Sequence, residues 1–263
     1  MSIVKAKKSL GQHFLKDQNI AKKITDSLLP VTENVLEIGP GMGVLTQYLL
    51  KKEEINVKAI DIDRESIDYL HIEYPADREK ILYGDFLRVD VRQFFDGKYS
   101  IIGNLPYNIS SQIFFKVIEN RDIIPQVVCM IQKEVAERIS SKHGNKVYGI
   151  LSVFLQAFYD IEYLFTVNEQ VFDPPPKVKS AVIRLIRNKR EVLGCDEKLF
   201  FRIVKAGFNQ RRKTMRNSIK QLLPEGFNSD YLQLRPEQMS VDDFIILCKD
   251  IEDAVNNVNK VNL

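Results

Sequence analysis

The sequence predicts an α/β fold followed by a small all-helical domain, and three observations carry that reading. The first is the stretch Asn34–Thr46: Val35, Leu36 and Ile38 form a short apolar strand, interrupted by Glu37. The strand breaks into Gly39, Gly41 and Gly43 before a helical pattern restarts at Val44, Leu45, Tyr48 and Leu49. The second is that later apolar strands end on acids or polar loops. Residues 57–60 run into Asp61, 80–83 into Gly84-Asp85, and 99–102 into Gly103-Asn104. The third is a change of period near residues 187–194, after which every pattern is helical. A strand, a glycine turn and a helix let backbone approach a ligand closely, and open sheets hold ligands at the carboxyl ends of their strands. The first part is therefore Rossmann-like. The division predicted is 1–186 for the sheet domain and 187–263 for the helical one.

Taken in order, residues 1–10 are basic without an apolar period and read as a flexible arm that orders on nucleic acid. A helix is expected over 17–29, with Ile20, Ile24 and Leu28 on one face, and Phe14 reads as core. After the first strand comes a helix over about 43–53, a second strand at 57–60 and a helix through 66–70. A third strand, 80–83, and a fourth, 99–102, follow. Ser110 or Ser111 is the expected cap of a helix bearing Ile113, Phe114, Val117 and Ile118. Residues 126–131 form a central strand, 132–139 a helix, and 141–146 a polar loop. Two more strands, 150–158 and 178–186, are expected as a hairpin pair. Between them Asp173 precedes three prolines, which cannot sit in a ladder and make a loop held in shape. The helical part holds a helix from Glu197, then short helices over 229–234, 241–248 (Ser240 as cap) and 251–258.

The 263 residues suffice for a sizeable core, and 44% hydrophobic with 28% charged content is ordinary for a soluble globular protein. There is no run of about twenty apolar residues and no signal-peptide pattern, which argues against membrane and export. Three cysteines, Cys129, Cys195 and Cys248, stand far apart without metal-ligand spacing and fit a reducing cytoplasm. The net charge of +3 conceals two basic blocks: residues 1–23 carry six Lys/Arg against one acid, and 187–220 eleven against three. The rest of the chain is acidic. Such blocks on an acidic body suit a polyanion surface, and Arg211, Arg212, Lys213 and Arg216 suit phosphates.

The chemistry follows from the strand ends. Gly39-x-Gly41-x-Gly43 departs from the dinucleotide spacing, and no Gly-Lys-Ser/Thr phosphate loop exists for ATP. S-adenosylmethionine carries no phosphates. It needs a glycine turn at its amino-acid end and acids for its ribose and adenine, which Asp61 and Asp85 supply. In Asn104-Leu105-Pro106-Tyr107, Pro106 stiffens the loop, Asn104 offers an amide oxygen to an amine, and Tyr107 offers an aromatic face to a base. Hydrogen bonds from an adenine amine to Asn104 and to the Leu105 carbonyl would favour a more nucleophilic nitrogen. Tyr107, with Phe172 as a second surface, would hold a base taken out of its stack.

Gly11-Gln-His-Phe-Leu15, Glu37-Ile-Gly-Pro-Gly41, Gly84-Asp85, Asn104-Leu-Pro-Tyr107, Gln132–Ala136, Phe172–Ser180 and Arg211-Arg-Lys213 together resemble the ribosomal RNA adenine dimethyltransferase family, over almost the whole chain. The resemblance is to its bacterial small-subunit branch. It implies a class I S-adenosylmethionine-dependent methyltransferase fold and N6,N6-dimethylation of two adjacent adenosines near the 3′ end of small-subunit rRNA. The implied partner is the immature 30S subunit, met as a cytoplasmic monomer. It also implies that His13 and Leu15 line the cofactor pocket, Gly39 meets the methionine end, Asp61 the ribose and Asp85 the adenine. Asn104 would meet both cofactor and target. His13 stands where other members have Asn, and Asp61 where many have Glu; the shorter acid still reaches a ribose. The related large-subunit enzymes of macrolide resistance are the nearest alternative, with the Leu105 form of the motif and the full C-terminal lobe favouring the small-subunit branch. A pre-subunit assembly factor is a third reading.

Overall fold

The computed structural model describes residues 4–261. It contains strands β1 (Phe14–Leu15), β2 (Asn34–Ile38), β3 (Asn56–Asp61), β4 (Ile81–Tyr83), β5 (Ser100–Asn104), β6 (Gln126–Gln132), β7 (Tyr159–Val167), β8 (Phe172–Asp173) and β9 (Ser180–Arg187). Helices are α1 (Gln18–Thr25), α2 (Thr46–Leu49), α3 (Arg64–Glu73), α4 (Ser110–Glu119), α5 (Lys133–Ser140), α6 (Ile150–Gln156), α7 (Glu197–Asn209), α8 (Met215–Ser218) and α9 (Val241–Val261).

Among the described residues, seven strands form one sheet in the order β4-β3-β2-β5-β6-β9-β7. β4, β3, β2, β5 and β6 run parallel, and β9 returns antiparallel to β6. A separate two-stranded ladder joins β1 to β8, with Leu15 opposite Phe172. The central strands read as near-continuous apolar runs because both of their faces are covered: β6 is buried from Gln126 to Ile131. Gly103 on β5 is required by a close approach, since a Cβ there would collide with the Ile38 carbonyl oxygen.

The chain divides into two compact units, 1–136 with 160–187, and 137–159 with 188–263. The expected contiguous split at 187 thus misses a segment that packs with the C-terminal unit. The same segment corrects a second expectation: residues 150–158 are not a strand. Ile150-Leu-Ser-Val-Phe-Leu-Gln156 is the helix α6, buried from Leu151 to Leu155. A short all-apolar run has no readable period, so length and neighbours must decide. Here Ser152 decides: its hydroxyl accepts from the Gly149 N–H at 3.0 Å, starting a helix. The strand beside β9 is β7, which begins just after α6 ends.

Other boundaries shift for local reasons. Asp17 accepts from the N–H groups of Asn19 and Ile20 and caps α1, which stops at Thr25 rather than near 29. The glycine turn extends to Leu45, leaving α2 a single turn. No serine caps α4; Ser110 is its first residue, and its hydroxyl donates to the Tyr107 carbonyl. The two short C-terminal helices are one, α9: Phe244, Leu247, Cys248 and Ile251 make a continuous buried stripe with no breaker between. Ser240 caps it, exchanging hydrogen bonds with Asp243. Cys195 and Cys248, distant in sequence, meet through their thiols.

Candidate functional site

The strand order reverses between β2 and its neighbours β3 and β5, so the carboxyl ends of β2, β3, β4 and β5 open into a crevice. A cavity of about 190 Å³ occupies it. His13, Leu15, Gly39, Asp61, Asp85, Asn104, Leu105, Pro106 and Tyr107 all line this cavity, so nine sequence-separated residues are brought to one place. Phe172 is the exception. It is 1% exposed and packs in the core beside Leu15, its partner across the β1–β8 ladder. The expected second stacking surface is therefore corrected: the ring is consumed by the core and offers no face to a base.

The glycine turn explains its own composition. Gly39, Gly41 and Gly43 have φ of 69°, 55° and 80°, in the left-handed region that only glycine enters freely. At Gly41 a Cβ would also lie 2.9 Å from the Phe14 ring. Phe14 thus packs over the turn.

Asp61 is 8% exposed, and its two oxygens accept from the Gly41 N–H at 3.2 Å and the Asp63 N–H at 2.8 Å. Burial pushes its carboxyl above the usual range, and those backbone bonds pull the other way. Asp85 accepts from the Leu87 N–H at 2.9 Å and lies 3.3 Å from the Arg88 guanidinium. It makes an Asx turn and lines the cavity at once.

The Asn104 Nδ2 donates to the His13 carbonyl at 3.0 Å. A carbonyl only accepts, so the amide nitrogen must face His13, and Oδ1 is directed away from it. The Leu105 N–H donates to the Met130 carbonyl at 3.0 Å, which fixes the direction of its peptide. Tyr107 shares a hydrogen bond with the Ser180 hydroxyl, and its ring centroid lies 5.5 Å from that of His13. Burial pushes the Tyr107 phenol up, with the Ser180 bond opposing. The phenol stays neutral and anchors the ring by its edge.

Glu37 is a cavity residue to which sequence reasoning gives no role. It is 1% exposed, lines the cavity and accepts from the Thr46 hydroxyl at 2.7 Å. The signal is visible as the one polar break in an apolar strand, because a buried carboxylate is costly unless something uses it. Burial pushes its carboxyl to about 8, against the Thr46 bond and with help from the Asp61 charge. The unfolded chain loses this proton near 4.5 and the folded chain only near 8, so the contribution to stability is full below 4.5 and is lost as pH rises through that window. Urea unfolding should show wild type losing stability relative to Glu37→Gln by about 1.4 kcal/mol per pH unit between pH 5 and 8. A difference that stays flat with pH would mean Glu37 is already ionised in the fold.

Glu37, Asp61 and Asp85 give the cavity three acidic side chains, and among the described residues no Lys or Arg lines it. A phosphate would find no cation there. Among the described residues no group of His, Cys, Asp and Glu could hold a metal ion. No helix of the described residues is long and apolar enough to cross a membrane.

In the C-terminal unit Arg212 and Lys213 are exposed, whereas Arg211 reaches the Asn145 carbonyl at 3.4 Å and Arg216 bonds the Asn228 side chain. The N-terminal basic arm is also partly engaged: Lys7 pairs with Asp63 and Glu65, so the described part is not a free tail. Residues 1–3 of that arm lie outside the described residues.

A family model described as "Ribosomal RNA adenine dimethylase" matches residues 3–243. The "Ribosomal RNA small subunit methyltransferase A" of Cytophaga hutchinsonii is 58% identical, covering 94% of this chain and 97% of its own. The protein of the same name from Bacteroides thetaiotaomicron is 56% identical, covering 97% of both. Among solved structures, a dimethyladenosine transferase from Plasmodium falciparum aligns with a TM-score of 0.76 at 26% identity, over 93% of this chain and 98% of that one. The 23S rRNA methyltransferase ErmE aligns with a TM-score of 0.65 at 23% identity over 91% and 99%, a likeness of fold. With the family model spanning nearly the whole chain and relatives above half identity, the chain belongs to the ribosomal RNA adenine dimethylase family.

Proposed function

We propose that this protein transfers methyl groups from S-adenosylmethionine to the N6 amines of two adjacent adenosines near the 3′ end of small-subunit rRNA, acting on the immature 30S subunit. The observation that carries the cofactor is the cavity itself: positive-φ glycines at a strand end, the acids Glu37, Asp61 and Asp85, and no cation among the described residues. That set suits a positively charged, phosphate-free nucleoside, and the Gly39-x-Gly41-x-Gly43 spacing departs from the dinucleotide fingerprint. Bound there, S-adenosylmethionine supplies a methyl group on an electrophilic sulfonium.

The chain's own residues then have separate tasks. Gly39 admits the methionine end, Asp61 accepts from the ribose hydroxyls, Asp85 from the adenine amine, and His13 and Leu15 close the wall. Burial keeps the Glu37 proton in place beneath the turn, and a cation entering the cavity favours its ionised form. The Asn104 Oδ1 and the Leu105 carbonyl accept from the target amine and draw its lone pair out of conjugation. Pro106 keeps those two acceptors in place, and Tyr107 stacks on the extruded base. No side-chain base is required, because the amine proton becomes acidic once the nitrogen is alkylated.

The helical unit is assigned to RNA binding, the protein working as a monomer in the cytoplasm. Arg212 and Lys213 are the exposed members of its basic run, so replacing Arg211, Arg212 and Lys213 by alanine should weaken rRNA binding. It should also flatten the salt dependence by about one unit of slope for each phosphate no longer neutralised. An unchanged slope would show that those charges face away from the RNA.

The relatives named for the small ribosomal subunit favour that substrate over the large-subunit one. Incubation with methyl-labelled S-adenosylmethionine and each immature subunit decides: label in small-subunit rRNA is expected, and label only in the large subunit would overturn the assignment.

A further inference from the structure

Asp63 is 2% exposed, lies just beyond β3 and does not line the cavity, yet three different parts of the chain converge on it. Its carboxylate caps α3 through the Glu65 N–H at 3.2 Å and the Ser66 hydroxyl at 3.1 Å. Its own N–H donates to Asp61 at 2.8 Å. From the N-terminal segment, Lys7 pairs with one of its oxygens and the Gln12 Nε2 donates to the other at 3.0 Å. The Gln12 Oε1 in turn accepts from the Lys7 N–H at 2.8 Å, closing a compact loop over residues 7–12. Burial works against the Asp63 charge, but the bonds from Lys7, Gln12 and Ser66 prevail and hold its carboxyl below the usual range.

The next residue after this knot is His13, whose carbonyl holds the Asn104 amide at 3.0 Å and whose ring lies against Tyr107. On its far side the segment is fixed by the β1–β8 ladder. His13 therefore sits on a strap tied at two ends, one to Asp63 and one to Phe172–Asp173.

We infer that Lys7, Gln12 and Asp63 form a latch that sets the orientation of the Asn104 amide through the backbone at His13, and are positioning residues for methyl transfer. The inference rests on the catalytic assignment of Asn104 above. It also removes Lys7 from the cations available to RNA phosphates. With the latch open, the His13 carbonyl is held only from the β1–β8 side, where the His13 ring meets the Pro174 carbonyl at 2.8 Å, and the acceptor that aims the Asn104 amide nitrogen is less firmly fixed. Displacements on the scale of 1 Å cost catalysis out of proportion to stability.

Lys7→Met opens one tie without touching the cavity, and Lys7→Arg keeps the charge. With saturating S-adenosylmethionine and immature small subunits, kcat should fall about 10- to 100-fold in Lys7→Met and recover to within about threefold of wild type in Lys7→Arg. The Tm of both should stay within about 3 °C of wild type. Gln12 also lines the cavity, so Gln12→Ala, which cuts the second tie, is read by the Asn104 amide signal, which should change as in Lys7→Met. The signature a merely structural role would not move is the side-chain amide of Asn104, identified in ¹⁵N-asparagine-labelled protein by its disappearance in Asn104→Ala. It should give one sharp pair in wild type and Lys7→Arg and a broadened or doubled pair in Lys7→Met. Unchanged amide signals and kcat in Lys7→Met would overturn the latch. So would a loss confined to rRNA affinity with a salt slope lower by about one, which would make Lys7 a phosphate ligand. If wild type transferred no methyl to immature small subunits, the proposed function would fall while the amide signals still decided the latch.

Discussion

Asn104→Ala is expected to lower kcat for methyl transfer by about 10²- to 10³-fold, the range lost when one preorganised polar group at a reacting centre is removed. Two features of the structure set that size. The amide is held by a fixed bond to the His13 carbonyl, so its oxygen is aimed before any ligand arrives. It also stands at the carboxyl end of β5, whose register with β6 pairs Asn104 with Met130, so the backbone beneath it is part of the central sheet. Alanine removes the acceptor without disturbing that ladder. Single-turnover transfer with saturating cofactor and unmethylated small subunits measures the effect directly. A fall of less than about threefold would remove Asn104 from the reacting centre. Binding of Asn104→Ala to immature subunits should stay near wild type; if it does, binding and catalysis are separable, which is the part of the assembly-factor reading worth keeping.

Tyr107→Ala should lower kcat/KM for rRNA by about 10- to 100-fold, the 1–3 kcal/mol that stacking on an aromatic ring contributes per base. The S-adenosylmethionine Kd should move by no more than about twofold. Since Phe172 is buried in the core, the proposed stacking would rest on Tyr107 without that second ring, which places the expected effect toward the upper end. Tyr107→Phe separates the ring from its anchor. It keeps the face and loses the bond to Ser180, so most of the activity should return. Equal losses in cofactor affinity and transfer for Tyr107→Ala would contradict the stacking role.

The glycine turn, the acids after β3 and β4 and the Asn-Leu-Pro-Tyr segment are legible because each is a local exception: a φ, a charge or a stiff loop where a plain strand end would need none. Phe172 is illegible for the opposite reason. An aromatic beside a rigid loop looks the same in sequence whether its ring meets a ligand or the core. The 150–158 segment misleads because a mostly apolar run carries no clear period, and α9 because two apolar clusters look like two helices until Phe244, Leu247, Cys248 and Ile251 are seen to be buried as one stripe.

The amino-acid sequence by itself determined that this is a Rossmann-like α/β domain with a glycine turn at a strand end and a helical C-terminal part, since hydrophobic period and backbone permissiveness are properties of neighbouring residues. Only the tertiary structure decided that Lys7 pairs with Asp63, that Glu37 is buried beside the turn with its carboxyl pushed up, and that the His13 carbonyl holds the Asn104 amide. Those outcomes depend on which distant groups meet and on how much water is left between them.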